Sequence, residues 1–362
     1  MPARAKDGTC LAKLVMLAIP LCRAAQCQCP RAGPGRPPDF DDWMIAVMIM
    51  AATIKRRKSK SAQYRFLHEH RQKFMRWLGL KRFPARSTYF ERYTQAHRLF
   101  KAAIVLQGQK AITEGVTTAR SVAADKSLLG ARGMPWHGKR RCKGRVPAKL
   151  HGVDRQADWG YSPYHKWVYG YSWEVLTTAD SRTIQFPLAA SADLASVSEH
   201  SSFPPKTNHI PKATRFVLLD SGYDSNAIGD AVELDEHGRS TGHRFVCPPN
   251  RRGQTKRRSR SGPSRGHMSR QEREAQTRRR RRIEFYDSPT GRKAYARRGQ
   301  SVEPLHERVK SLFELDKRVW HRGLGNNKTQ LLSAIFCYQL LLRYNHRCGR
   351  RTAQVQWIME SV

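Results

Sequence analysis

The stretch FVLLDSGYDS, residues 216–225, decides how this chain is read. An apolar run rich in β-formers passes directly into an aspartate, followed by Ser221 and a Gly-Tyr pair. Such a run predicts a short buried strand. A carboxylate at the end of a buried strand does not serve stability, because desolvating a charge is costly unless a partner offsets it. Asp220 therefore asks for a function.

Composition names the kind of partner. The chain has 362 residues, and 67 Lys and Arg against 29 Asp and Glu give a formal net charge of +38. That exceeds what solubility requires, and the charge is clustered. It implies a polyanion, with nucleic acid first and an anionic membrane a distant second. An apolar content of 39% allows a real core, in one large domain or two ordinary ones. The eight cysteines, at 10, 22, 27, 29, 142, 247, 337 and 348, form no CxxC pair, and no His pair sits at finger spacing. Scattered reduced thiols fit a cytoplasmic, nucleoid-associated protein.

Two apolar segments invite a membrane reading. LAKLVMLAIPL (11–21) follows basic residues as a leader would, but it is short for a span, contains Lys13 and lacks a clean small-residue cleavage site. WMIAVMIMAATI (43–54) is also too short; Asp39, Asp41 and Asp42 precede it and KRRK (55–58) follows. Acid before and base after suit a helix dipole, so a buried helix is expected and no transmembrane span.

Residues 1–40 end in RAGPGRPP and are expected to be poorly ordered. Residues 41–115 read as a helical DNA-binding region. SAQYRFLHEHRQKFMRWLG (61–79) predicts a helix stopped by Gly79. FPARSTYFERYTQAHRLF (83–100) turns at Pro84 and offers Thr88 and Glu91 as a capping box. The second helix opens with Arg86, Tyr89 and Arg92. The pair fits a helix-turn-helix with Arg86 and Arg92 on DNA, or an ordinary helical hairpin; the surrounding charge favours DNA.

Residues 116–345 mix strands and helices. SVAADKSLL (121–129) is a strand carrying Asp125, and WVYGYSWEVLTTA (167–179) with TIQFPLAAS (183–191) forms a hairpin turning at Asp180, Ser181 and Arg182. ADLASVSEHSSF (192–203) reads as a helix, RFVLLD (215–220) as a strand, SNAIGDAVEL (225–234) as a helix and HRFVCPP (243–249) as the last strand. Residues 251–282 are Ser/Gly/Arg-rich with almost nothing apolar, and are expected to be a disordered or DNA-ordered insertion. Helix resumes from Ser301 and includes TQLLSAIFCYQLLLRY (329–344), with a tail over 346–362.

The order β-β-β-α-β-α-β predicts an α/β fold: a ribonuclease-H-like mixed sheet flanked by helices, behind an N-terminal all-α, helix-turn-helix-like region. In that sheet the first and fourth strands are neighbours, which brings Asp125 and Asp220 together. Adjacent carboxylates repel unless a cation lies between them. Hard oxygen ligands select Mg²⁺ or Mn²⁺. Two such ions about 3.5–4 Å apart can activate an attacking oxygen and stabilise a leaving one in a phosphodiester. Glu303 is the candidate third acid, at a helix start where Ser301 can cap and Pro304 is tolerated. Lys310, two turns on, shares its face as a phosphate-binding cation. Asp154, in HGVDRQADWGYS, is a rival first acid, and Glu307 a weaker rival third.

These residues resemble the DDE transposases of bacterial insertion sequences. The family signature around the third acid is Tyr, two residues, Arg, three residues, Glu, six residues, Lys. This chain has YARRGQSVEPLHERVK (295–310), matching at Tyr295, Arg298, Glu303 and Lys310, with the Arg298–Glu303 gap one residue longer than the family's. DSGYDS resembles the second-acid motif at Asp220, Gly222 and Tyr223, and AADKSLLGARGMPWH the first-acid strand at Asp125. The resemblance covers roughly residues 40–345. It implies cut-and-paste chemistry, in which water first cuts at the element's end and the freed 3′-OH attacks target DNA. Asp125, Asp220 and Glu303 would hold two Mg²⁺ or Mn²⁺ ions. Arg298 and Lys310 would contact phosphates, and Tyr295 the terminal nucleotides. The partners implied are double-stranded DNA, as terminal inverted repeats and target, and a second copy of the chain in a synaptic homodimer. A non-catalytic DNA-binding derivative and a nuclease of the same fold are the competing readings.

Overall fold

The structure is a computed structural model that describes residues 9–29, 39–137, 152–164, 166–181, 183–250, 269–316 and 318–362. Cys142, Arg182, the RAGPGRPP stretch and residues 251–268 of the basic insertion lie outside the described residues.

The chain begins with α1 (Thr9–Cys27), α2 (Asp42–Ile54), α3 (Lys60–Glu69), α4 (Arg71–Leu78), α5 (Arg86–Tyr93) and α6 (His97–Thr113). Next come β1 (Ser121–Gly130), β2 (Asp158–Ser162), β3 (Lys166–Thr178) and β4 (Pro187–Leu194), then the single turns α7 (Glu199–Ser202) and α8 (Pro204–Thr207). β5 (Phe216–Leu218), α9 (Asn226–Glu233) and β6 (Arg244–Val246) follow. The chain closes with α10 (Arg270–Asp287), α11 (Pro289–Tyr295), α12 (Val302–Leu312), α13 (Leu324–Arg347) and α14 (Gln356–Ser361).

β3 is the hub of one mixed sheet. β1 runs antiparallel along one of its edges, while β2 and β4 share the other. β5 lies parallel to β1, and β6 parallel to β5. Period-two alternation gives each strand two faces. Val122, Ala124, Val217 and Leu219 face Ile228 and Val232 of α9, whereas Ala123, Leu218 and Val246 face Tyr286, Ala294 and Val302 of α10–α12.

The largest core joins the two ends of the chain. α2 is apolar on every side and is buried almost throughout, as such a helix must be. It packs with α1, α6 and the buried α13, which also cover Trp173, Val175 and Ala190 of the sheet. At the end of α6, Glu114 accepts from Arg343 of α13 at 3.0 and 2.5 Å. The N-terminal helices therefore share their core with the sheet. No helix among the described residues is long and apolar enough to cross a membrane.

Several expectations need correction. Residues 1–40 were expected to be poorly ordered, yet Thr9–Cys27 is a helix whose Leu14, Val15, Ala18, Leu21 and Cys22 form a buried stripe at helical spacing. The insertion 251–282 was expected to be disordered or ordered by DNA, but from Ser269 it is α10, opened by a Ser269–Glu272 capping box. Acids on α9 make it possible, since Arg278 and Arg282 both pair with Asp230 and Arg282 also reaches Glu233. Residues 192–194 extend β4 instead of starting a helix, because the free edge of β3 pairs with them. Thr88 caps nothing: α5 begins at Arg86 with Ala85 as its N-cap, and the helix breaks before His97. Gly79 does stop α4, in the left-handed conformation with φ 67°.

Candidate active site

The β1–β5 ladder pairs Ser121, Val122 and Ala123 with Phe216, Val217 and Leu218. Continuing that register by two residues sets Asp125 level with Asp220, and the alternation puts both on the face of Ala123 and Leu218. The turn between α11 and α12 covers this level. From it Arg298 reaches in, with Nη2 3.0 Å from Asp125 Oδ1 and 3.6 Å from Asp220 Oδ2.

The environments of the two acids differ. Asp125 has its carboxyl pushed up to about 7, chiefly by burial; Arg298 opposes this, while the Asp220 and Glu303 carboxylates add to it. Asp220 is more open and heads a tight turn, in which its Oδ1 accepts from Gly222 N at 2.9 Å. A side chain at Gly222 would crowd that oxygen. The Cys247 thiol donates to the Asp220 carbonyl at 2.9 Å.

Glu303 is exposed in the first turn of α12. Ser301 was expected to cap this helix, but its Oγ donates to the Arg298 carbonyl at 2.8 Å. Lys310 is half-buried on the same helix; burial pulls its ammonium pKa down, and the Asp316, Glu307 and Asp125 carboxylates oppose that. Tyr295 packs edge-on to Tyr286 with ring centroids 5.3 Å apart, and burial pushes its phenol up to about 12. Behind Asp125, His306 accepts from Trp173 Nε1 at 2.8 Å and stacks on that indole. Burial first, then Lys310 and Arg298, pull His306 down to about 3, so the imidazole is neutral.

The rival acids lie apart from this pair. Asp154 is buried and accepts from the Tyr171 hydroxyl at 2.7 Å and the Gly323 amide at 3.0 Å. Its position is that of an anchor between the loop before β2 and the start of α13. Glu307 is exposed one turn beyond Glu303. Arg92 is turned inward, onto Asp42 at 2.9 Å and the Phe40 carbonyl at 3.1 Å, while Arg86 is exposed and donates to Ser61 Oγ at 3.0 Å.

The sequence reading missed a polar group on the opposite face of the sheet. Glu174 of β3 accepts from Tyr223 at 2.7 Å and from Lys206 Nζ at 2.5 Å, and Lys206 also reaches Ser191 Oγ at 2.6 Å. The signal was a lone carboxylate inside the apolar run WVYGYSWEVLTT, the same anomaly that marked Asp220.

Asp125 and Asp220 suit a divalent cation: they are hard oxygen donors on one face that already share one positive group. In this arrangement no three acidic, histidine or cysteine side chains among the described residues converge as a cation cage.

The class to which this mixed α/β chain belongs is that of the transposases, enzymes that cleave and transfer DNA. Residues 131–340 match the family described as the transposase DDE domain, and the chain belongs to that family. The matched span includes Asp220 and Glu303, and Asp125 lies just upstream of it. Among solved structures, the chain is similar to a piggyBac transposase in a synaptic complex with hairpin DNA. The identity is 12%, over 97% of this chain and 78% of that one, with a TM-score of 0.37. No curated protein matches the chain.

Proposed function

We propose that this chain is an insertion-sequence transposase that cuts and transfers DNA by metal-dependent phosphoryl transfer, with Asp125, Asp220 and Glu303 as its acids. The observation that carries this reading is the sharing of Arg298 by Asp125 of β1 and Asp220, which follows the parallel strand β5. The strand order, with β3 the antiparallel member beside β1, supports a ribonuclease-H-like sheet.

Asp125 and Asp220 would hold Mg²⁺ or Mn²⁺, with Glu303 brought in from α12. Bound there, two such ions would activate the attacking oxygen and stabilise the leaving one. The chain's own part is to position and to screen. β1 and β5 fix the two aspartates at one level, and the Gly222 amide orients Asp220. Lys310 and the exposed arginines attract the DNA backbone. The substrates are double-stranded DNA, as terminal inverted repeats and target, and the working form is a homodimer.

The test is incubation of the purified protein with linear DNA carrying the flanks of its own gene, with Mg²⁺ or Mn²⁺, beside Asp220→Ala. Metal-dependent cleavage at the element ends that Asp220→Ala abolishes is the expected result. Tight, salt-sensitive binding with no cleavage by either protein overturns the catalytic reading in favour of binding alone.

A further inference from the structure

We propose that Arg298 is the resident counter-ion of the acid pair, that a divalent cation enters only when this side chain leaves, and that a DNA phosphodiester draws it out. The inference rests on the proposed reading of Asp125 and Asp220 as cation ligands.

A guanidinium is charged at every relevant pH, so it neutralises the carboxylates without titrating. At 3.0 and 3.6 Å it lies against both of them. A second cation there meets direct repulsion from it and competes for the same oxygens. Arg298 is also incompletely satisfied where it sits: its Nε is buried and has no hydrogen-bond partner. A buried donor without a partner is costly, so the inward position is poised to exchange.

The backbone leaves the motion to the side chain. Arg298 N donates to the Tyr295 carbonyl at 2.9 Å, and its own carbonyl accepts from Ser301 N at 3.0 Å. The side chain stands in the turn between two helices, so its swing breaks no helix. A phosphodiester offers the guanidinium paired acceptors in the geometry it fits best. DNA binding and cation binding are then positively coupled through one side chain, and by linkage each tightens the other.

The experiment is a Mn²⁺ titration of the full-length protein, read by the electron paramagnetic resonance of free Mn²⁺. It is run with wild type, Arg298→Ala, Arg298→Gln and Asp220→Ala, with and without a short duplex bearing the flank of the gene. Thermal unfolding checks each variant, and Arg298→Gln, which keeps the shape and loses the charge, serves if alanine does not fold. Without DNA, the Arg298 variants should bind Mn²⁺ about tenfold more tightly than wild type, as expected from removing a unit charge this close. The duplex should tighten Mn²⁺ binding by wild type more than by the Arg298 variants; equal tightening of all would show that the DNA does not act through Arg298. If Asp220→Ala abolishes binding but the Arg298 variants bind no more tightly than wild type, Arg298 is not the competitor and the acid-pair reading stands. If Mn²⁺ binding is indifferent to Asp220→Ala, the acid-pair reading itself fails.

Discussion

The Tyr223 hydroxyl donates a 2.7 Å hydrogen bond to Glu174 Oε1. The turn that follows Asp220 is thereby suspended from β3, on the face of the sheet opposite the acid pair. Glu174 can be buried there because Lys206 Nζ lies 2.5 Å from its other oxygen. The aim of Asp220 thus depends on a charge pair buried on the other side of the sheet.

Removing one member of this group should cost stability in proportion to the charge left stranded. Tyr223→Phe should cost about 1–3 kcal/mol, the range for depriving a buried acceptor of its donor. Lys206→Met should cost about 3–5 kcal/mol, because it strands a buried carboxylate, and adding Glu174→Leu should restore part of it. Urea unfolding of the four proteins measures both; a harmless Lys206→Met would show that Glu174 is not held as described.

Asp154→Asn and Asp125→Asn should separate fold from chemistry. The first loosens the loop held to Tyr171 and Gly323, and should destabilise by about 1–3 kcal/mol while cleavage survives in the folded fraction. The second should abolish cleavage and leave the fold intact. Unfolding curves beside the DNA-cleavage assay decide it; loss of cleavage in a fully folded Asp154→Asn protein would make Asp154 the first acid.

The raised carboxyl of Asp125 sets a pH dependence. Its folded value of about 7 lies above the ordinary 3.8, so the folded chain binds more protons in between. The stability this group contributes is fully present below about 4 and is lost as pH rises through about 7. His306, pulled down to about 3, acts oppositely, costing stability as pH falls below its ordinary 6.5. Comparison with Asp125→Asn isolates the carboxyl: in chelator, the variant should gain on wild type as pH is raised from about 5 to about 8. Parallel stability curves would contradict it.

Two adjacent arginines on α10 should behave differently. Arg282 is buried and holds Glu233 Oε2 at 2.9 Å and Asp230 Oδ1 at 2.5 Å, so Arg282→Ala should destabilise by about 3–5 kcal/mol. Arg281 is exposed, and Arg281→Ala should leave stability unchanged while lowering the salt slope of DNA binding by about 1. An unchanged slope would place the DNA elsewhere.

The candidate acids stand out in sequence because each breaks a local rule: Asp125 and Asp220 follow apolar strand residues, and Glu303 opens a helix with Lys310 on its face; the structure brings the first two onto one arginine and leaves Glu303 exposed. Glu174 breaks the same rule but has no motif around it, and its partner Lys206 is identified only by the fold. α1 escaped notice because its stripe is buried by α2, α6 and α13, and the last of these lies some 300 residues on. α10 escaped because arginine-rich composition argues for disorder; its Ser269–Glu272 cap was readable, but the acids of α9 that offset its charge were not. Arg298 was read toward DNA, since sequence cannot say which anion a cation faces.

α13 lies beneath the sheet and completes the core that α1 and α2 begin. Synthesis runs from the N-terminus at about 5–20 residues per second, so this helix emerges after every acid of the site has been made. Until then α2 and the inner side of β3 and β4 lack the neighbour that buries them. A chain stopped between α12 and α13 therefore holds Asp125, Asp220 and Glu303 on a sheet whose core is still open. The core that supports the acid-bearing sheet therefore closes only once the last long helix has been made.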